Sequence, residues 1–195
     1  YQKTPTVLMN EAGVLDGPCV AAHCVHLNDN DREILAEKGV SIALCPSSNL
    51  KLRSGIANIP AMGSLNLTVG TDGASSNNNL NMFEEMHLAA LLSAFPAERV
   101  LSAATINGAA ALGFENIGEV REGFKADLII VDTDKPHHVP MHDLRAAMVY
   151  SAQGSDVETT IVDGKILYHK GEFKTADYER IKYDVQKSKN RLFNG

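Results

Sequence analysis

Several features that would place a protein in a familiar class are scarce in this sequence. It has three cysteines, Cys19, Cys24 and Cys45, and no CxxC pair, which argues against a disulfide framework or a thiolate zinc site. Reduced thiols in a cytoplasmic protein are the simplest interpretation. Lys and Arg number 18 against 24 Asp and Glu, and this net charge of −6 predicts neither a nucleic-acid nor a membrane partner. No apolar run approaches the roughly 20 residues that a membrane span needs.

Three sequence motifs of common enzyme classes are also missing. Neither GxGxxG nor GxxxxGK[ST] occurs, so the usual markers of dinucleotide and nucleoside-triphosphate binding are absent. GxSxG does not occur either, so none of the serines has the context of a serine hydrolase nucleophile. The apolar fraction of 44% and the charged fraction of 22% are typical of a globular protein.

What is present is an alternation of strand and helix patterns. Short apolar runs and amphipathic stripes predict strands within 18–27, 40–46 and 66–73, and helices within 4–12, 28–39, 81–93 and twice within 96–114. The segment 47–63 is predicted to be mostly loop, with one helical turn near Ile59. Alternation of this kind implies parallel strands joined by right-handed crossovers. A (β/α)8 barrel and a doubly wound sheet both fit this pattern.

The pattern changes along the chain and divides it into three predicted parts. Residues 1–117 contain about three strand–helix units, 118–174 are rich in β-branched residues, and 175–195 form a charged C-terminal helix. Within the β-rich part, Asp163-Gly164 between two apolar runs predicts a hairpin. A closed barrel needs eight strand–helix units. On the barrel interpretation, five units are therefore expected to precede Tyr1.

Polar side chains at the ends of the predicted strands are the candidate functional residues. His23, Asn49 and Asp72 follow successive strands, and separations of 26 and 23 residues suit a barrel that allots roughly 30 residues to each unit. Asp72 ends an apolar run, where a carboxylate without a partner is costly to bury. Ser76, in the loop after Asp72, and Asn49 are candidate substrate contacts.

Two kinds of catalytic site can be weighed from these residues. A nucleophilic Cys45 with His23 as base is disfavoured, because Pro46 has no N–H to offer an oxyanion hole. A metal site with His23 and Asp72 is favoured. Tetrahedral zinc takes about three protein ligands and a water molecule, so these two residues do not complete such a site.

Longer stretches of the sequence resemble the amidohydrolase superfamily. They are AAHCVHLND, PSSNLKLRSGIANIPAM, GTDGASSNNNLNMFEEMHLAALL, ATINGAAALG and GEVREGFKADLIIVD. Within the superfamily they are most similar to the 5-methylthioadenosine/S-adenosylhomocysteine deaminases and their chlorohydrolase and guanine-deaminase relatives. The resemblance implies that 1–117 is the C-terminal part of a (β/α)8 barrel, with strands 6 to 8, and that 118–174 is part of a small β-sandwich.

The resemblance also implies a cofactor and roles for the candidate residues. One divalent metal is expected, zinc first, with iron, nickel or manganese as alternatives. Asp72 would be a metal ligand and proton acceptor, His23 a catalytic residue beside the attacked carbon, and Asn49 and Ser76 substrate-binding residues. The other metal ligands of the family lie on strands 1 and 5, which are expected before Tyr1. One departure is Leu44-Cys45, where relatives often carry His-Asn.

The expected activity is hydrolytic deamination of an adenine-type purine nucleoside by the full-length enzyme. Triazine chlorohydrolase and guanine deaminase are alternatives within the superfamily. The chain by itself is expected to be an incomplete and inactive C-terminal fragment that lacks the N-terminal half of the protein and holds metal weakly. A non-catalytic domain that only self-associates is the alternative outside enzymology, and a homo-oligomer is expected in either case.

Overall fold

The computed structural model describes residues 2–193, which form two compact units. The first unit comprises the described residues up to Phe124 together with Asp134–Gly154. The second comprises Lys125–Thr133 and the described residues from Ser155 onward. Within residues 2–193, no helix is both long enough and apolar enough to cross a membrane.

The first unit is an α/β structure with a parallel sheet. Its elements are α1 Pro5–Glu11, β1 Val20–Ala22, α2 Asp29–Glu37, β2 Ser41–Leu44, α3 Pro46–Lys51, a 3-10 turn Pro60–Met62, β3 Leu67–Val69, α4 Ala74–Asn77, α5 Met82–Ser93, α6 Ala97–Ala104, α7 Ile106–Ala111, a second 3-10 turn Pro136–His138 and α8 Leu144–Tyr150. The sheet order is β1-β2-β3 and both pairs are parallel. The predicted α/β class is confirmed for this unit.

The central strand of this sheet lies in the core. Ile42 on β2 is fully buried and pairs with Ala21 of β1 and Leu67 of β3. The cluster around it includes Leu35 from α2 and Met62 from the first 3-10 turn. Burial of these apolar side chains, at about 25 cal/mol per Å² removed from water, holds the strands in register.

Local signals explain where the main helices begin. Asn28 and Asp31 form a reciprocal capping box at the start of α2, in which each side chain accepts a hydrogen bond from the other residue's backbone N–H. Asn81 caps α5 through the N–H of Phe83. Gly39, just beyond α2, has a φ of 65°, which glycine adopts without steric cost and which ends the helix.

Two helices of six or seven residues, α3 and α8, were not predicted, and neither was the four-residue α4 in the loop after Asp72. The prediction of 47–63 as mostly loop was wrong for α3, because Pro46 at the first helical position starts a six-residue helix that is too short to show an apolar stripe. The second helix, α8, lies inside the β-rich stretch 118–174 and is capped by Asp143, which accepts from the N–H of Ala146. Residues 134–154, which include α8, belong to the first compact unit.

The second unit contains an antiparallel sheet and the last helix. Its elements are β4 Leu128–Val131, β5 Val157–Val162, β6 Lys165–His169, β7 Glu172–Phe173 and α9 Tyr178–Phe193, and its strand order is β4-β5-β6-β7. The predicted hairpin is confirmed: Asp163 and Gly164 both have positive φ, 49° and 74°, between paired Val162 and Lys165. Of the predicted terminal segment, positions 194–195 lie outside the described residues. The assignment to a β-sandwich stays a prediction.

Candidate active site

His23 and Asp72 meet at the carboxyl edge of the parallel sheet. His23 directly follows β1, and Asp72 follows β3 after two intervening residues. Because parallel strands end on the same side of a sheet, their following segments are brought together there. His23 Nε2 lies 3.9 Å from Asp72 Oδ2. This distance exceeds a hydrogen bond, so both groups can face a third atom.

The backbone at both residues is in the left-handed region. The φ angle is 67° at His23 and 60° at Asp72. Residues other than glycine pay roughly 1–2 kcal/mol for this conformation, and it persists where the surroundings impose it. At His23 the backbone N–H donates to the carbonyl oxygen of Ala43 at 2.9 Å, which fixes the turn at the strand end. Two such residues at one sheet edge favour a functional role over a packing role.

The Asp72 carboxylate is held by donors on both of its oxygens. Ser48 Oγ donates to Oδ2 at 2.6 Å, and the Gly73 N–H donates to Oδ1 at 2.7 Å. The hydroxyls of Ser48 and Ser76 and the Gly73 amide lower the pKa of this carboxyl from 3.8 to about 2, with a smaller contribution from His23. The side chain remains 30% exposed. It is therefore an ionised, accessible carboxylate at neutral pH.

The His23 ring is held by Asn49. Nδ1 of His23 lies 2.9 Å from Oδ1 of Asn49, and Asn49 is only 6% exposed. With the amide oxygen facing the ring, Nδ1 carries the hydrogen, and Nε2 is the nitrogen nearer to Asp72. This contact occupies the Asn49 oxygen, so the structure favours Asn49 as a residue that orients His23. Its predicted contact with substrate stays a prediction.

Ser76 lies on α4, the four-residue helix that follows Asp72. Its hydroxyl donates to the carbonyl oxygen of Gly73 at 3.1 Å and also helps to lower the pKa of Asp72. Ser76 therefore shapes the loop that carries the carboxylate. Its predicted role in substrate binding stays a prediction.

Sequence reasoning missed three residues that support the site. They are Ser48, which is 1% exposed, Glu85, which is 1% exposed, and Asn77. Glu85 had a detectable signal: it lies three residues after Met82 and four before Ala89, on the buried face of α5, where a carboxylate needs partners. Ser48 and Asn77 gave no distinct signal, because each lies among other small polar residues in the sequence.

Cys45 also lies near these acidic groups. Burial first, and then the negative charges of Asp72 and Glu85, raise the pKa of its thiol to about 11. A thiol of this kind is protonated at neutral pH, whereas a nucleophilic cysteine works as a thiolate. The environment therefore disfavours a cysteine–histidine mechanism.

Comparison with known proteins places this chain in a family. The sequence model of the amidohydrolase family matches residues 2–167. The chain belongs to the amidohydrolase family. The resemblance inferred from its motifs is thereby confirmed.

Curated relatives of this amidohydrolase include proteins named as deaminases. The 5-methylthioadenosine/S-adenosylhomocysteine deaminase of Moorella thermoacetica is 52% identical over 96% of this chain, and that of Acetivibrio thermocellus is 49% identical over 98%. The matches cover 46% and 47% of those proteins. The chain thus spans about half the length of the curated relatives it matches.

Solved structures of zinc-containing relatives superpose on this amidohydrolase. An adenosine deaminase from Xanthomonas campestris with bound zinc matches 100% of this chain and 47% of its own, with a TM-score of 0.95 and 32% identity. An atrazine chlorohydrolase from Arthrobacter aurescens complexed with zinc matches 96% of this chain and 44% of its own, with a TM-score of 0.87 and 26% identity.

Proposed function

We propose that the whole protein containing this chain is a metal-dependent deaminase of adenine-type nucleosides. It would convert 5-methylthioadenosine or S-adenosylhomocysteine and water into the inosine analogue and ammonia. The observation that carries this proposal is the pairing of His23 and Asp72, 3.9 Å apart at the carboxyl edge of a parallel sheet. The shared name of the relatives that are 49% and 52% identical supports the choice of substrate class.

We also propose that the first unit is part of a (β/α)8 barrel. In this assignment β1, β2 and β3 are strands 6, 7 and 8, and β4 to β7 belong to a small β-sandwich. The parallel order β1-β2-β3 and the TM-score of 0.95 to a relative about twice as long support it. Catalytic residues of such barrels lie at the carboxyl ends of the strands, which is where His23 and Asp72 lie.

The residues present suit one corner of a divalent-metal site. Asp72 is ionised, keeps part of its side chain exposed and offers carboxylate oxygens, which zinc and other divalent ions accept as ligands. Ser48 and Gly73 fix its orientation, as hydrogen-bond partners of metal ligands commonly do. Since zinc takes about three protein ligands, we propose that the others come from the part of the protein outside this chain.

His23 and Asp72 then have distinct roles in the hydrolysis. A divalent metal bound at such a site supplies a water molecule whose pKa is lowered to about 7. Asp72, as the ionised carboxylate, would accept a proton from the attacking water. His23, held at Nδ1 by Asn49, presents the lone pair of Nε2 to the same space, where it accepts a hydrogen bond from the attacking water and so orients it.

The comparisons favour an adenine-type substrate over a triazine. The chain is 49% and 52% identical to the named deaminases, and 26% identical to the atrazine chlorohydrolase. The solved structure with the higher TM-score is that of an adenosine deaminase. Triazine hydrolysis and guanine deamination are the alternative activities, and the experiment below tests both.

The experiment measures ammonia release by the whole protein loaded with zinc. We expect turnover of 5-methylthioadenosine and S-adenosylhomocysteine, and much slower turnover of guanine and atrazine. Asp72→Asn is expected to lower both bound zinc and turnover, and His23→Ala to lower turnover while zinc is retained. Full zinc occupancy without release of ammonia from either nucleoside would refute the substrate. Full activity in Asp72→Asn would refute the site.

A further inference from the structure

Glu85 is a buried carboxylate that the proposed chemistry does not use. It lies on α5 and is 1% exposed. Oε2 accepts a hydrogen bond from the backbone N–H of Ser47 at 3.1 Å, and Oε1 accepts one from Asn77 Nδ2 at 2.7 Å. A buried charge is costly unless it is paired or hydrogen-bonded, so both contacts are needed to keep this group in place.

The first contact fixes the start of α3. The Ser47 N–H belongs to the first turn of α3, where backbone donors have no partner within the helix. The next residue, Ser48, donates to Asp72 Oδ2 at 2.6 Å, and Asn49 follows with its contact to His23. Glu85 therefore holds the helical turn from which both candidate catalytic residues are oriented.

The second contact fixes the loop on the other side of the carboxylate. Asn77 Nδ2 donates to Glu85 and also to the carbonyl oxygen of Thr71 at 2.8 Å. Thr71 immediately precedes Asp72, and Asn77 is the last residue of α4. The buried Glu85 side chain thus connects the loop that carries Asp72 to α3, which carries Ser48, the hydrogen-bond donor of Asp72.

We propose that Glu85 is a positioning residue that fixes the Asp72 carboxylate relative to His23 by joining α3 to the loop 71–77. This inference rests on the proposed function, because it assigns Asp72 and His23 to one reaction. Displacement of a reacting group by about 1 Å can cost roughly a hundredfold in rate. Loss of a hydrogen-bond partner behind a metal ligand typically costs about 10- to 100-fold in metal affinity or activity.

The test compares Glu85→Gln with Glu84→Gln in the whole protein. Both variants replace a carboxylate of α5 by an amide. Glu84 is exposed, and its carboxylate accepts a hydrogen bond from the side chain of Asn79. In Glu85→Gln an NH2 group replaces one carboxylate oxygen. That group then faces either the Ser47 N–H or Asn77 Nδ2, both of which are donors, so one hydrogen bond is lost. We expect zinc affinity, measured by chelator competition, and kcat each to fall about 10- to 100-fold, with KM nearly unchanged. Glu84→Gln should match the parent protein.

A second variant covers the case in which Glu85→Gln does not fold. Asn77→Ala leaves the Ser47 contact intact and removes the connection to Thr71, so it should show the same loss in zinc affinity and kcat. A crystal structure of either variant should show Ser48 Oγ and Asp72 Oδ2 separated beyond hydrogen-bond distance. Parent-like zinc affinity and kcat in a folded Glu85→Gln or Asn77→Ala would overturn the inference.

The two proposals fail in different ways. If the parent protein binds zinc but deaminates neither nucleoside, the proposed substrate fails, and zinc affinity still decides the role of Glu85. If the parent protein deaminates and Glu85→Gln does so equally well, only the role of Glu85 fails. Thermal unfolding midpoints of all variants separate a loss of folded protein from a loss of positioning.

Discussion

Replacing Asn49 by Ala distinguishes an orienting residue from a substrate contact. Asn49 is 6% exposed, and its Oδ1 lies 2.9 Å from Nδ1 of His23. If this contact orients the ring, Asn49→Ala should lower kcat and leave KM nearly unchanged, because substrate binding is preserved while the reacting geometry is lost. If Asn49 instead binds substrate, KM should rise.

The hydrogen bond and its geometry set the size of the effect. A neutral hydrogen bond contributes about 0.5–1.5 kcal/mol, which corresponds to roughly 2- to 13-fold in rate. Displacement of the ring by about 1 Å would extend the loss to roughly a hundredfold. The expected fall in kcat for Asn49→Ala is therefore about tenfold. It must not exceed the loss caused by His23→Ala, which for a general acid–base residue is about 10²- to 10⁴-fold.

The assay is steady-state ammonia release by four whole-protein forms: parent, Asn49→Ala, His23→Ala and the double variant. A residue that acts only through His23 has no further effect once the imidazole is gone, so the double variant should match His23→Ala. Asn58→Ala is the matched control, because Asn58 is exposed and contacts the backbone N–H of Ala61. Additive losses in the double variant, or a raised KM with unchanged kcat, would refute the reasoning.

Three further predictions follow from the charges and edges of the described residues. Ser48→Ala should raise the pKa of Asp72 from about 2 toward 3.8, measured by carboxyl-carbon NMR titration. The stabilisation that comes from this low pKa is complete above pH 3.8 and is lost as pH falls toward 2. Ser48→Ala should therefore reduce the fall in unfolding temperature between pH 3.8 and 2. An unchanged pKa of Asp72 would contradict the role of Ser48. Burial raises the pKa of the Cys45 thiol from 9.0 to about 11, so the folded protein should lose stability between pH 9.0 and 11. Cys45→Ala should reduce that loss. Identical stability–pH profiles of the parent and the variant would contradict this prediction. The 195-residue chain by itself should self-associate and release no ammonia, because β1 and β3 are the edges of its parallel sheet. A compact monomer by sedimentation, or turnover with tightly held zinc, would contradict this prediction.

The sequence by itself determined the elements whose signals are local. The capping residue Asn28, the hairpin pair Asp163-Gly164 and the alternation of apolar strands with amphipathic helices involve residues a few positions apart. Physical interactions over that range are encoded in the order of residues, so they could be predicted. The same alternation placed His23 and Asp72 at strand ends, where parallel strands bring their following segments together.

Only the tertiary structure decided how the site is held. Ser48 contacts Asp72 from 24 positions away, Asn49 contacts His23 from 26, and Glu85 reaches the Ser47 N–H from 38. These contacts exist because α3 packs on α5 and α5 packs on β3 in one arrangement, and no local pattern records that arrangement. The short helix α3 was itself hidden, because six residues carry too little periodicity to reveal it. Candidate residues for the site could therefore be proposed from residue types and strand ends, whereas their hydrogen-bonded support could not.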